Sequence, residues 1–316
     1  MEMRKLGNSG IEVAPLMFGG NVFGWTADEA MSFRLLDAFV ARGFNFIDTA
    51  NVYSTWAPGH QGGESETVIG KWFKRSGKRN QVVIATKLGL AMDGLKGGLA
   101  KGYIASEVEK SLKRLQIDCI DLYQSHKDDP DTPLEETLEA YSRLIEQGKV
   151  RIIGASNYSG ERLREAVELA RRDGLPEYQT LQPEYNLYSR KEFEQDAQPV
   201  AQELGVSVIP YWALASGFLT GKYATQEDTL GASREKRLGA YFDERGIRLL
   251  QTLRDVANEA ATEPAAVAIA WLMAQPTIVA PIASATNLKQ LESNFKAVEL
   301  HLTPRQLEQL NAASAS

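Results

Sequence analysis

A chain of 316 residues, 43% of them hydrophobic, can bury a large core and fits one large α/β domain, since no Pro/Gly/Ser-rich linker divides it. The formal net charge of −6 comes without a basic run, which argues against nucleic acid as a partner and requires any anion-binding groups to be local. The single cysteine, Cys119, excludes an internal disulfide and a multi-cysteine metal site, and neither a charged-then-apolar leader nor an apolar run of membrane length is found, so the expected setting is the cytosol, away from membranes.

In chain order, Arg4–Leu6 and Ile11–Val13 flank the turn-forming Gly7-Asn-Ser-Gly10 and predict a β-hairpin that plugs a barrel floor. Leu16–Phe18 reads as a strand running into Gly19-Gly20-Asn21, and 28–42 reads as a helix from the spacing of Met31, Leu35, Leu36, Phe39 and Val40. A second strand, Phe44–Ile47, is followed by Asp48, a loop carrying Tyr53, and a helix over 64–74. The alternation continues with strands over 81–87, 119–126, 150–157, 178–182, 206–211 and 277–282. Helices are expected over 105–115, 134–147, 161–171, 193–204, 265–274 and 288–298, with a long insertion after the seventh strand. Counted from Leu16, eight strand-helix units predict a single (β/α)8 barrel over residues 1–316. A doubly wound sheet is the competing architecture, but no Gly-x-Gly-x-x-Gly follows the first strand.

In such barrels the carboxyl ends of the strands hold the chemistry. Here they carry Asp48 and Tyr53, Lys87, and His126. Taken singly, each has a bland reading: a turn aspartate, rim residues, a satisfied loop histidine. Together they fit one mechanism. A lysine ammonium roughly 4 Å from a phenol favours its phenolate by about 4 kcal/mol at an effective dielectric near 20, which lowers the phenol by up to about three pH units before desolvation. Asp48 would hold Lys87 charged, His126 would orient a carbonyl oxygen, and Tyr53 would protonate it as hydride reaches the carbon.

Six stretches, in order and at matching spacings, resemble the aldo-keto reductase superfamily over essentially the whole chain: Gly43–Tyr53, Thr86-Lys87, Ile120–His126, Gly154–Tyr158, Leu181–Asn186 and Ile209–Lys222. Leu214-Ala-Ser-Gly-Phe-Leu-Thr-Gly-Lys222 is similar to the bacterial branch that itself resembles potassium-channel β-subunits. The family's tetrad falls on Asp48, Tyr53, Lys87 and His126. The resemblance implies a nicotinamide cofactor, with Ser156, Asn157 and Gln182 at the carboxamide and Tyr211 stacked on the ring. It further implies a pyrophosphate loop over 212–217, including Trp212, Leu214, Ser216 and Gly217, with Lys222 as a cation and Gly20 and Asn21 on the cofactor side.

The final strand-helix junction departs from the family pattern. Where relatives often carry Gly-Ala-Ser-Arg, this chain has Ser284-Ala-Thr286-Asn287, followed by Gln290, Ser293 and Asn294. Asparagine cannot neutralise a 2′-phosphate, so charge support falls to the helix N-terminus, Lys289 or Arg234. NADP(H) is the expected cofactor, and NAD(H) stays open. The segment 223–245 is either a strap over the cofactor or a solvated loop. Phe23, Trp25 and Trp56 either line an aromatic pocket for aldehydes or ketones with apolar bodies or pack the rim. The activity implied is NAD(P)H-dependent reduction of a small-molecule carbonyl. The alternatives are a non-catalytic cofactor-sensing subunit, which the complete tetrad disfavours, and a Schiff-base aldolase, which would need an uncharged Lys87.

Overall fold

The computed structural model describes residues 1–315 apart from positions 93, 95 and 233. The first two strands, β1 (Arg4–Lys5) and β2 (Glu12–Val13), pair antiparallel as the expected hairpin. Leu6, Ile11 and Val13 are buried in one cluster with Met17, Phe46, Val83, Ala85, Leu122, Ile209 and Ala280, so the hairpin closes the amino-terminal end of the barrel. Polar bonds pin it there: Gly7 N donates to Ser207 Oγ (2.8 Å), Ala14 N to Asn45 Oδ1 (2.8 Å) and Arg4 Nη1 to Ile278 O (3.0 Å). Its apolar side chains need a lid from water, and the barrel floor needs a filler.

The remaining strands are β3 (Met17–Gly19), β4 (Phe46–Asp48), β5 (Val83–Leu88), β6 (Ile120–Ser125), β7 (Val150–Ser156), β8 (Tyr178–Gln182), β9 (Ser207–Val208) and β10 (Ile282–Ala283). They form one parallel sheet in chain order, with β10 returning to β3. Val208 N to Thr277 O (2.9 Å), Val279 N to Val208 O (2.8 Å) and Ile282 N to Pro210 O (2.9 Å) join the remaining edges, so the sheet closes as a (β/α)8 barrel. The two expected strands 206–211 and 277–282 pair regularly over much shorter lengths. Pro210 and Pro281 lie within them and have no N–H to give to a ladder.

The helices that follow these strands are α1 (Glu29–Ala41), α2 (Glu64–Ser76), α3 (Lys101–Leu115), α4 (Leu134–Glu146), α5 (Gly160–Asp173), α6 (Lys191–Gln195) and α7 (Ala197–Leu204). The single helix expected over 193–204 is thus two, broken at Asp196. Pro199, in the first turn of α7, cannot bond back to residue 195, and Asp196 Oδ2 instead accepts from Gly160 N (2.9 Å). Beyond β9 the chain forms α8 (Glu235–Leu238), α9 (Glu244–Glu259), α10 (Pro264–Met273), α11 (Leu288–Glu299) and α12 (Pro304–Ser314). Thr303 and Gln306 make a reciprocal capping box at the start of α12. Among the described residues no helix is long and apolar enough to cross a membrane.

Candidate active site

Parallel pairing puts the carboxyl ends of β4, β5 and β6 side by side, with Asp48 opposite Ala85 and Lys87 opposite Gln124. Lys87, fully buried, directs Nζ to Asp48 Oδ1 (2.6 Å), Thr49 O (2.7 Å) and Tyr53 Oη (2.9 Å). Tyr53 Oη in turn donates to Asp48 Oδ2 (2.7 Å). His126 follows the last residue of β6, and its ring meets that of Tyr53 edge-on at 6.1 Å between centroids. All four tetrad positions therefore converge at one mouth. A cavity of about 740 Å³ bordered by Arg4, Arg42, Phe44 and Met273 has none of the four in its lining.

The electrostatics correct one expectation. Tyr53 is not lowered by Lys87; burial, followed by the charge and hydrogen bond of Asp48, holds its phenol well above 10. The reason is that Lys87 is already neutralised by Asp48, so a phenolate would face an ion pair rather than a lone cation. Burial also lowers the Lys87 ammonium, with Asp48 opposing it. His126 is held well below 6.5, first by burial and then by the Lys87 charge, and its Nδ1 is buried without a partner. At neutral pH the arrangement is a protonated phenol between an ion pair and a neutral imidazole. Such a group can give a proton to an oxygen at the mouth.

The carboxamide candidates also come together. Ser156 Oγ donates to Gln182 O (2.7 Å), and Asn157 Nδ2 donates to His126 O (2.9 Å) and Ser156 Oγ (3.1 Å). Tyr211 Oη donates to Asn157 Oδ1 (2.8 Å), which sets the Tyr211 ring beside this cluster. Asn157 is held in the left-handed region (φ 57°), a cost that asparagine bears better than most residues.

In the expected pyrophosphate loop Trp212, Ala215, Ser216 and Gly217 all have positive φ, and Ala215 N and Gly217 N donate within the loop, to Trp212 O and Leu214 O (both 2.8 Å). Ser216 Oγ is buried without a partner. A Cβ at Gly217 would stand 3.8 Å from Lys222 Nζ, so the lysine reaches the one residue whose missing side chain leaves the backbone open. An orphaned hydroxyl and a cation fit a phosphate. The loop Leu214 belongs here too, at the entry to the turn.

From the insertion after β9, Arg234 and Arg237 reach residues that follow β3, β8 and β9. With its amide oxygen toward the donor, Asn21 accepts from Arg234 Nη2 (2.9 Å) and donates to Ser284 Oγ (2.6 Å). Arg237 lies over the Trp212 ring and donates to Glu184 (2.8 Å). Gly20 is needed for packing: a Cβ there would stand 2.6 Å from Asp48 O. At the last junction Asn287 caps α11, its Oδ1 accepting from Gln290 N (3.0 Å), while Gln290 Oε1 accepts from Thr286 N (2.8 Å). Asn294 is buried and donates to Ser284 O (3.4 Å), so it supports the strand end from below.

Trp25 and Trp56 meet edge-on at 5.7 Å, and Trp56, 47% exposed, stands 5.9 Å from Tyr53, so both line the mouth. Phe23 does not: it is fully buried and stacked on Phe18 at 5.1 Å, a core residue rather than part of a pocket. Sequence reasoning missed Thr49, whose carbonyl is a ligand of Lys87 Nζ, because a backbone acceptor leaves no residue-type signal. It also missed Glu66, fully buried and bonded to Thr86 Oγ1 (2.6 Å) and Arg114 Nε (2.6 Å) behind Lys87. The Glu64-Ser-Glu66 run reads as a solvated helix start until its burial is known.

A (β/α)8 barrel that gathers an aspartate, a tyrosine, a lysine and a histidine at the carboxyl ends of its strands is built as an enzyme. The chain belongs to the Aldo/keto reductase family, whose model matches residues 15–315, and is accordingly an oxidoreductase. It is 37% identical to the uncharacterized oxidoreductase YrpG of Bacillus subtilis (strain 168), over 98% of this chain and 95% of that one. A probable voltage-gated potassium channel subunit beta of Oryza sativa subsp. japonica is 33% identical over 100% of this chain and 97% of its own. Aldo-keto reductase str7 of Strobilurus tenacellus is 31% identical over 90% and 81%.

Proposed function

We propose that the protein reduces aldehydes and ketones to alcohols with NADPH, accepting NADH less well. The observation that carries this reading is the buried Lys87–Asp48–Tyr53 chain at the barrel mouth beside a neutral His126. A bound reduced nicotinamide supplies the hydride that reaches the carbonyl carbon. Ser156, Asn157, Gln182 and Tyr211 would hold its nicotinamide end, and the loop of Trp212 to Gly217 with Lys222 and Arg234 would hold its phosphates. His126 donates a hydrogen bond that orients the carbonyl oxygen. Tyr53 Oη turns from Asp48 and gives that oxygen its proton, and Lys87 Nζ, 2.9 Å away, faces the phenolate left behind. Trp25 and Trp56 favour substrates with an apolar body. One cysteine fits a cytosolic setting.

The relative named as a channel subunit suggests a cofactor-sensing role as a second reading, and the complete tetrad favours reduction over it. The test is loss of reduced-cofactor absorbance with a panel of aldehydes and ketones, run separately with NADPH and NADH. Oxidation that depends on the carbonyl supports the proposal. No carbonyl-dependent oxidation with either cofactor across the panel would sink it.

A further inference from the structure

The nearly buried side chain of Gln182, at the end of β8, does not simply wait at the mouth for a ligand. Its Nε2 reaches across the barrel interior to Asp48 Oδ1 (3.1 Å), the oxygen that also accepts from Lys87, and lies 3.4 Å from Gln124 Oε1. The orientation of this amide is fixed by chemistry: an ionised carboxylate only accepts, so nitrogen must face Asp48. Gln182 Oε1 then has no donor among the described residues. Asp48 consequently has its two oxygens divided among three donors on three different segments: Lys87 on β5, Tyr53 in the loop after β4, and Gln182 on β8. With Gln182 removed, the Asp48 carboxylate would keep Lys87 and Tyr53 and lose its one side-chain donor, among the described residues, from the far wall of the barrel.

We propose that Gln182 is a positioning residue for proton transfer: its amide nitrogen locks the Asp48 carboxylate that holds Lys87 and Tyr53, while its oxygen stays free for the carboxamide. One side chain thereby ties occupancy of the nicotinamide seat to the geometry of the proton donor. This rests on the carbonyl-reduction reading. It goes beyond a cofactor contact because it predicts an effect on the tetrad that survives when the carboxamide contact is taken away.

The test uses Gln182→Met, of similar length without the amide, and Gln182→Asn, which keeps an amide but is one methylene too short to span to Asp48. At saturating cofactor, the alkaline fall of kcat should move toward acid in Gln182→Met, because a carboxylate that turns away from Tyr53 no longer holds its phenol up. The same shift should appear with the 3-acetylpyridine analogue of the cofactor, which lacks the carboxamide NH2. Gln182→Asn should resemble Gln182→Met. A readout free of turnover is the melting temperature of Gln182→Met, Asp48→Asn and the double variant. Losses in the double smaller than the sum support direct coupling. If Gln182→Met weakens cofactor binding but leaves the pH profile in place, or if the melting losses add, Gln182 is a cofactor contact only and the proposal is overturned. Absence of any turnover in the wild type would sink the proposed activity, and the melting cycle would still decide this one.

Discussion

Replacing Lys87 by methionine removes the only cation among the described residues that touches Asp48, and the cost follows from burial. Both side chains are at most 1% exposed, and the ammonium makes three short bonds, to Asp48 Oδ1, Thr49 O and Tyr53 Oη. Methionine fills nearly the same volume, so the packing loss is small. What remains is a buried carboxylate supported, among the described residues, by the neutral donors Tyr53 and Gln182. Breaking a buried pair by removing one partner costs about 3–5 kcal/mol, because the other charge stays desolvated and unpaired. Removing both charges should therefore be milder than removing one. We expect Lys87→Met to lose about 3–5 kcal/mol at pH 7 and the Asp48→Asn/Lys87→Met double variant to recover about 2 kcal/mol or more of it. The assay is urea unfolding followed by circular dichroism on wild type, both single variants and the double, with unchanged m-values as the control. A Lys87→Met protein within about 1 kcal/mol of wild type, or strictly additive losses, would refute the picture of a desolvated ion pair.

Asn287→Arg should tighten NADPH binding about tenfold, the equivalent of about 1.4 kcal/mol, and leave NADH nearly unchanged, as paired fluorescence titrations would read. Because Asn287 caps α11, the same change should cost about 1 kcal/mol of stability, and equal effects on both cofactors would mean that the position does not face a 2′-phosphate. His126 gives an acid-stability prediction with a definite sign. Its folded imidazole stays neutral well below 6.5 whereas the unfolded one takes up a proton near that value, so wild-type stability falls as pH drops below about 6.5. The loss approaches about 1.4 kcal/mol per pH unit until the folded value is reached, and His126→Gln should lack that component. Identical stability slopes for the two proteins between pH 6.5 and 5 would rule it out.

The barrel could be read from the sequence because each strand from Leu16 onward ends at a loop and a helix of 3.6-residue spacing, and the tetrad because four chemically matched side chains fall at strand ends or in the loops just beyond them. Other features were hidden for definite reasons. Pro210 and Pro281 shorten the last strands without disturbing their apolar pattern, and Pro199 splits a helix whose periodicity runs through it. The helix α9 had a readable stripe of Leu249, Leu250, Leu253, Val256 and Ala257, masked by its place inside a long insertion. At the site, Phe23 was indistinguishable from its neighbour Trp25 as a pocket residue, since only packing on Phe18 separates them. The state of Tyr53 is not legible from its pairing with Lys87 alone, because Asp48 and burial act on the same phenol. Cross-barrel contacts such as Gln182 to Asp48, 134 positions apart, have no local signature at all.

The central claim is that Tyr53 gives the proton. Tyr53→Phe deletes one oxygen, keeps the ring beside Trp56, and leaves Lys87 bonded to Asp48 and Thr49. General acids contribute about 10²–10⁴-fold, so kcat for an unactivated aldehyde should fall by that much while NADPH binds within about twofold of wild type. The measurement is single-turnover NADPH oxidation alongside a fluorescence titration of the same variant. A large loss of rate with intact cofactor affinity is the predicted result, and turnover near the wild-type rate would contradict the account.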